Sequence, residues 1–299
     1  MTVTSAYPYC EFPFYEWNPV QEKCLPYFTR DCNLVVSASV AAGKTAIAEA
    51  VIAYELAQSP KAKAIYVSPL KSLSTEKYDQ WVRSRIYGDS PIVQIDGDHH
   101  DAAPEELAGA RVVIATVESL HICVRRGDRW TEDAAVLVFD EAHLFDAERR
   151  GPVSEAMMMD FSERCPAARL ILLSGTLSNA RDMAVWLKTL NGKPTPFVVS
   201  GWRPTALEKE VVVRDRLDSQ LRYVCDSVCD SEKTLVFVHS KKIGALVVER
   251  LKARGIKTAL FTADVQKPVR EKMLAAYRSR YSALNTLVAT SSLSMGVSL

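Results

Sequence analysis

The chain has 299 residues, 48% hydrophobic and 24% charged, with a formal net charge of +1. This is the composition of a soluble globular protein of one large or two ordinary domains, and no run approaches the ~18 consecutive apolar residues of a membrane span. The start, MTVTSAYPYCEF, lacks the regions of a secretory signal, and the seven cysteines are odd in number and scattered. A cytoplasmic location is therefore expected, in the host cytoplasm if the source is viral, with no membrane partner.

Apolar runs in chain order fall at 33–38, 64–68, 91–95, 112–116, 135–139, 169–173, 234–238, 258–262 and 286–290. Most are continuous, as strands buried on both faces are. Amphipathic segments lie between them. In 44–57, Ile47, Val51 and Leu56 share a side and Ser59-Pro60 is the stop; in 216–229, Leu217, Leu221, Val224 and Val228 follow helical spacing. Strand–helix alternation predicts an α/β fold of parallel sheets with right-handed crossovers. The turn-rich stretch Ser200-Gly201-Trp202-Arg203-Pro204 marks the expected boundary, between domains 1–200 and 201–299. Charge changes sign close by: residues 203–299 hold 17 Lys+Arg against 10 Asp+Glu, whereas 1–202 hold 20 against 26. A basic half is compatible with a groove that tracks phosphates, although a solvated basic face would read the same way.

Two segments carry chemistry. Ala38-Ser39-Val40-Ala41-Ala42-Gly43-Lys44-Thr45 follows the first strand and opens a helix, as a phosphate loop does. Ala42, Gly43 and Lys44 would cradle ATP, with Lys44 on the β- and γ-phosphates and the Thr45 hydroxyl on Mg²⁺. The first glycine of the usual GxxxxGK[ST] pattern is missing. Val136-Leu137-Val138-Phe139-Asp140-Glu141-Ala142-His143 brings two carboxylates to the end of a buried strand, where open α/β sheets bind ligands. There Asp140 would hold the metal and Glu141 would act on the attacking water as general base.

With these residues in place the sequence resembles the superfamily 2 helicases of the DExH type. It is most similar to the superkiller-like branch, which includes archaeal repair helicases. Asn18-Pro19-Val20-Gln21 is similar to the family's glutamine motif, in which Gln21 would read adenine. The phosphate loop of this branch commonly lacks the first glycine. Ser68-Pro69-Leu70-Lys71 looks like motif Ia, and Thr116-Val117-Glu118 like motif Ib. Arg150 follows the DEAH sequence as in this branch. Ser174-Gly175-Thr176 stands for motif III, so His143, Ser174 and Thr176 would couple hydrolysis to strand movement. His239 lies in a match to motif IV; Thr290 and Gly296 lie in a match to motif V.

The resemblance implies tandem RecA-like domains, the second incomplete, in an ATP-dependent helicase or translocase using ATP and Mg²⁺. Ser68, Pro69, Lys71, Thr116, Glu118, Arg150, His239 and Thr290 would meet nucleic acid, with DNA favoured over RNA, and Gly296 would meet the nucleotide. Backbone-directed contacts suit a motor that must move on any sequence. Motif VI, with its arginine finger, is expected after motif V but is not within these 299 residues. A second polypeptide supplying it is one expectation, and a fragment of a longer helicase is the other. The alternative to a working motor is a catalytically weak module that grips nucleic acid or a partner. A P-loop kinase fits less, because the DEAH and motif V segments have no purpose there.

Other features read as structural. Asp96-Gly97-Asp98-His99-His100-Asp101 is one short loop, too local for a closed metal site, and reads as solvated. Cys225 and Cys229 read as small buried hydrophobes, and Met157-Met158-Met159 as helix core. The aromatic stretch from Tyr7 to Trp17 either stacks on adenine or pads the first domain.

Overall fold

The continuous apolar runs become strands because a chain segment apolar on both faces is stable only between two layers of helices. The computed structural model describes residues 9–10, 12–97, 103–175, 177–228, 233–279 and 281–290. Two compact units are formed, Met1–Leu207 and Glu208–Leu299.

In the first unit the strands are β1 (Leu34–Ala38), β2 (Lys63–Ser68), β3 (Ile92–Ile95), β4 (Val112–Thr116), β5 (Ala134–Phe139), β6 (Arg169–Ser174) and β7 (Phe197–Ser200). They form one sheet in the order β3-β4-β2-β5-β6-β1-β7, with every pairing parallel. Strand β7 has no counterpart among the sequence runs. It follows Pro194 and Pro196 and has a neighbour on one side only, β1, so Phe197 is left exposed while Val198 is buried.

The helices are α1 (Pro19–Phe28), α2 (Lys44–Gln58), α3 (Lys71–Ser84), α4 (Pro104–Gly109), α5 (Val117–Arg126), α6 (Gly151–Arg164) and α7 (Ala180–Asn191). Two apolar layers separate them from the sheet. Val36, Tyr66, Val138 and Leu173 face Val20 and Phe28 of α1, Ile47 and Val51 of α2, and Trp81 of α3. Val35, Val67, Leu137 and Leu172 face Leu120 of α5, Met157 and Phe161 of α6, and Leu187 of α7. Helix α2 is buried more widely than one stripe, with Ala46, Ala48, Ala50 and Ile52 also inside. The aromatic N-terminal stretch pads the first layer: Phe12 and Phe14 meet Trp17 edge-on at 5.0 and 5.4 Å, and Trp17 meets Phe28 at 5.7 Å.

Two arginines, Arg169 buried and Arg111 half-buried, hold helix ends to the sheet. Arg169 is 2% exposed and donates to the carbonyls of Tyr27, Phe28 and Cys32, and to Glu55 Oε1 at 2.7 Å. Arg111 likewise donates to Leu56, Ser59 and Ala62 at the end of α2. The carbonyls of Tyr27, Phe28 and Leu56 lie in the last turns of α1 and α2, past the reach of the helix's own donors, so a guanidinium with five donors satisfies several groups at once.

In the second unit β8 (Thr234–Phe237), β9 (Thr258–Phe261) and β10 (Thr286–Ala289) form a parallel sheet in the order β8-β10-β9. Its helices are α8 (Leu217–Ser227), α9 (Lys241–Ala253) and α10 (Lys267–Arg278). Leu221, Cys225, Val247, Leu251 and Val288 make one core, and Phe261, Tyr277 and Leu287 another. Cys225 is thus a core residue, while Cys229 lies outside the described residues.

Three structural readings need correction. Leu217, placed on the apolar stripe by spacing, is 46% exposed at the first position of α8. Met157 and Met158 are core, but Met159 is exposed, since three consecutive helix positions cannot share one face. Asp96 is not solvated; it is buried and accepts from Gln94 Nε2 at 2.6 Å. The rest of that loop, 98–102, lies outside the described residues.

Candidate nucleotide and nucleic-acid site

All strands of the first unit run the same way, so their C-terminal ends share one edge of the sheet. Across the order β4-β2-β5-β6-β1, that edge carries Thr116, Ser68, Asp140, Ser174 and the 38–45 loop. Asp140 stands in the middle.

The loop is shaped by backbone conformation. Ala41 (φ 64°) and Gly43 (φ 72°) are left-handed, and Ala42 N donates to Ser39 O at 3.1 Å. Left-handed residues alternating with others turn successive N–H groups to one side, the geometry of an anion nest. Gly43 is packed at close range: a Cβ there would lie 2.4 Å from Gln21 Nε2 and 3.1 Å from Asn18 Nδ2. Lys44 Nζ donates to Ala38 O at 3.0 Å and Ser39 O at 3.1 Å, which holds its charge across the loop.

Helix α1 braces this loop. Asn18 caps α1, accepting from Val20 N at 2.9 Å and Gln21 N at 3.1 Å, and Gln21 Oε1 accepts from Asn18 N at 3.0 Å. This reciprocal pair is a capping box. The remaining amide donors reach the loop: Asn18 Nδ2 to Ala42 O at 3.1 Å, and Gln21 Nε2 to Gly43 O at 3.2 Å. Gln21, assigned to adenine by resemblance, is 4% exposed and uses both ends of its amide inside the chain.

At the end of β5, Glu141 is left-handed (φ 54°), a conformation costly for a residue with a Cβ and one that ends the strand abruptly. Its N–H donates to Asp140 Oδ1 at 2.9 Å. Burial, and then the charge of Asp140, raise the Glu141 pKa, against the pull of Lys44 and His143. Burial lowers the Lys44 pKa, while Glu141 and Asp140 oppose the shift and Arg203 adds to it. The phosphate-loop lysine and the two carboxylates are therefore close enough to tune one another. His143 Nδ1 lies 3.3 Å from Glu141 Oε2 and 3.4 Å from Ser174 Oγ, which links the carboxylate to β6. Thr45, in the first turn of α2, and Asp140 are hard oxygen donors of the kind Mg²⁺ takes, and the loop fits a phosphate chain. Among the described residues, no group of three or more His, Cys, Asp and Glu is arranged to hold a metal by itself.

On the other side of Asp140, Arg150 Nη1 donates to Pro69 O at 2.7 Å, and its Nε lies 3.8 Å from Glu118 Oε1. Three expected strand contacts are thereby brought together. Ser68 Oγ donates to Leu70 O at 3.3 Å, next to exposed Lys71 at the start of α3. Thr116 caps α5, accepting from Ser119 N at 3.4 Å. Both hydroxyls are buried, so they shape two helix N-termini rather than face solvent. In the second unit, His239 follows β8 and Thr290 follows β10, on adjacent strands, with Thr290 N donating to Phe261 O at 3.3 Å. Thr176 and Gly296 lie outside the described residues.

Comparison with known proteins agrees with this geometry. The family model for DEAD/DEAH box helicases matches residues 18–183, more than half of the chain. This chain belongs to the DEAD/DEAH box helicase family. Curated relatives of this DEAD/DEAH box chain include the ATP-dependent DNA helicase Hel308 of Thermoplasma volcanium, 33% identical over 231 residues, which are 74% of this chain and 33% of the relative. That of Pyrococcus abyssi is 33% identical over 223 residues, 70% of this chain and 29% of the relative. The chain thus spans about a third of the length of these relatives. Among solved structures, the DUF1998 helicase MrfA bound to DNA and AMPPNP superposes with a TM-score of 0.77 at 18% identity, over 95% of this chain and 43% of that one. An S. cerevisiae Dbp5 variant bound to RNA and ADP BeF3 gives 0.67 at 18%, over 95% and 72%. At that identity the likeness is one of fold, the RecA-like α/β fold read from the sequence.

Several residues of this DEAD/DEAH box chain's site were not singled out by motif. Asn18 figures in the sequence reading only as the start of the glutamine motif; its role as a cap was legible, because Asn followed three residues later by Gln is a capping-box signal. Tyr66, Glu49, Trp81 and Lys77 carry no such signal; only the fold gathers them near Asp140. Arg203, read as part of the linker, acts on Lys44.

Proposed function

We propose that this chain is the ATP-driven motor core of a nucleic-acid helicase or translocase, with DNA as its preferred track. Ala42, Gly43 and Lys44 bind the phosphates, Thr45 and Asp140 hold Mg²⁺, and Glu141 is the general base. Bound Mg²⁺ would supply neutralisation of phosphate charge. The left-handed loop at Ala41 and Gly43, opening α2 on the same sheet edge that carries Asp140 and Glu141, is the observation that carries this reading. Burial and the charge of Asp140 raise the Glu141 pKa, which makes its carboxylate the stronger proton acceptor. Gln21 contributes by bracing the loop, and His143 with Ser174 and Thr176 couples the nucleotide to the strand.

In the first unit nucleic acid runs past Ser68, Pro69, Lys71, Thr116, Glu118 and Arg150; in the second it meets His239 and Thr290. The N-termini of α3 and α5 present backbone donors there. The DNA preference is supported by the DNA helicases among the relatives. A cytoplasmic compartment goes with this reading, supported by the buried Cys24, Cys32, Cys123 and Cys165, which form no disulfide. No helix among the described residues is long and apolar enough to cross a membrane. The test is ATP hydrolysis with and without single-stranded DNA and RNA, alone and with native partners. Turnover that rises with DNA and is lost in Glu141→Gln is expected; Glu141→Gln turning over like wild type would sink the enzyme reading.

A further inference from the structure

Asp140 is held from behind. Its N–H donates to Val67 O at 3.0 Å, which extends the β2–β5 ladder one step past the strand. Of its carboxylate oxygens, Oδ1 accepts the Glu141 N–H at 2.9 Å, and Oδ2 accepts the hydroxyl of Tyr66. Tyr66 is 1% exposed. Its ring lies edge-on against Trp81, centroids 5.0 Å apart and planes at 72°. Fully buried Trp81 in turn donates from Nε1 to Glu49 Oε1 at 2.7 Å.

The connections matter because of where each residue sits. Glu49 is on α2, the helix that the phosphate loop opens, and Trp81 is on α3, the helix that Lys71 begins. Tyr66 is on β2, whose end carries Ser68 and Pro69. Elements from the nucleotide side and the strand side therefore meet at one carboxylate. A hydroxyl donated to this half-buried carboxylate is charge-assisted and directional, so it fixes the plane of the group and leaves the remaining lone pairs outward.

We propose that Tyr66 is a positioning residue: its hydroxyl sets the Asp140 carboxylate in the orientation that receives Mg²⁺, and Trp81 ties that orientation to α3. The proposal rests on the assignment of the metal to Asp140 made above. A buried tyrosine needs a partner for its hydroxyl in any case. The discriminating readout is therefore metal dependence rather than stability.

The experiment titrates Mg²⁺ into the 299-residue chain with a fluorescent ADP analogue, mant-ADP, and reads the tightening of nucleotide binding. Tyr66→Phe keeps the ring against Trp81 and removes only the donor. It is expected to raise the half-saturating Mg²⁺ concentration about tenfold, as loss of one charge-assisted bond implies, with affinity in EDTA within twofold of wild type. On an Asp140→Asn background, Tyr66→Phe is expected to add nothing, because the effect runs through Asp140. A Tyr66→Phe chain with wild-type Mg²⁺ dependence overturns the proposal alone. An Asp140→Asn chain with wild-type Mg²⁺ dependence overturns the metal assignment and takes the proposal with it. Should Tyr66→Phe fail to fold, 3-fluorotyrosine placed at position 66 gives a second readout by ¹⁹F resonance. Its signal is expected to move on Mg·ADP addition and in Asp140→Asn; a signal that ignores both overturns the proposal.

Discussion

Gly43→Ala separates the two demands made on the phosphate loop. The residue sits at φ 72°, where a side chain with a Cβ costs about 1–2 kcal/mol. The new methyl would also lie 2.4 Å from Gln21 Nε2 and 3.3 Å from Gln21 Cδ. Since Nε2 is at the far end of a flexible side chain, the amide swings away, and its bond to Gly43 O goes with it. That loss is worth about 1 kcal/mol. Together the loop conformation that receives phosphates becomes about 2–3 kcal/mol less favourable, or roughly 30- to 140-fold in affinity. The assay is anisotropy of a fluorescent ADP analogue with Mg²⁺, with circular dichroism melts as a control for folding. A second pair isolates the clash. On a Gln21→Ala background the closest obstacle is gone and only Asn18 Nδ2 at 3.1 Å must give by a few tenths of an ångström, so Gly43→Ala should cost little beyond the backbone part, roughly 5- to 30-fold. Binding by Gly43→Ala within threefold of wild type would refute the reasoning.

Two further perturbations probe the scaffold behind the site. Arg169→Met strips the partner from Glu55, which is 13% exposed, and from three carbonyls around the end of α1; a loss of about 3–5 kcal/mol is expected in urea unfolding. A loss below 1 kcal/mol would show that α1 is held by other means. Burial raises the Glu49 pKa, with the Trp81 N–H and Lys77 opposing the shift. Folding thus favours protonated Glu49, and that contribution is present at low pH and lost as pH rises through the raised pKa. Glu49→Gln is therefore expected to gain melting temperature over wild type at pH 8, and the gain should shrink toward pH 5. A pH-independent difference would count against this assignment.

Much of the fold was legible because it rests on local rules. Buried parallel strands are continuous apolar runs, and nine of them were readable in order. The phosphate loop and the Asp140-Glu141 pair were legible because strand, turn and helix follow one another within a few residues. Strand β7 was not, because an edge strand preceded by Pro194 and Pro196 and half exposed has no long apolar run. Leu217 and Met159 show the limit of spacing, which says which residues share a face but not what covers it. The Tyr66–Asp140 bond spans 74 residues and depends on the register of β2 against β5, where Tyr66 lies opposite Val138. No local pattern encodes such a contact. The same holds for Gln21, whose motif was visible but whose amide turns toward Gly43 through packing of α1 against α2.

The central claim is that Lys44, Thr45, Asp140 and Glu141 form one Mg·nucleotide site. Calorimetric titration of the chain with AMPPNP, in Mg²⁺ and in EDTA, tests it most directly, with Lys44→Ala and Asp140→Asn alongside. The account predicts binding that Mg²⁺ strengthens, at least tenfold weaker in Lys44→Ala and no longer strengthened by Mg²⁺ in Asp140→Asn. Equal binding by wild type and Lys44→Ala, or none by wild type, would contradict it.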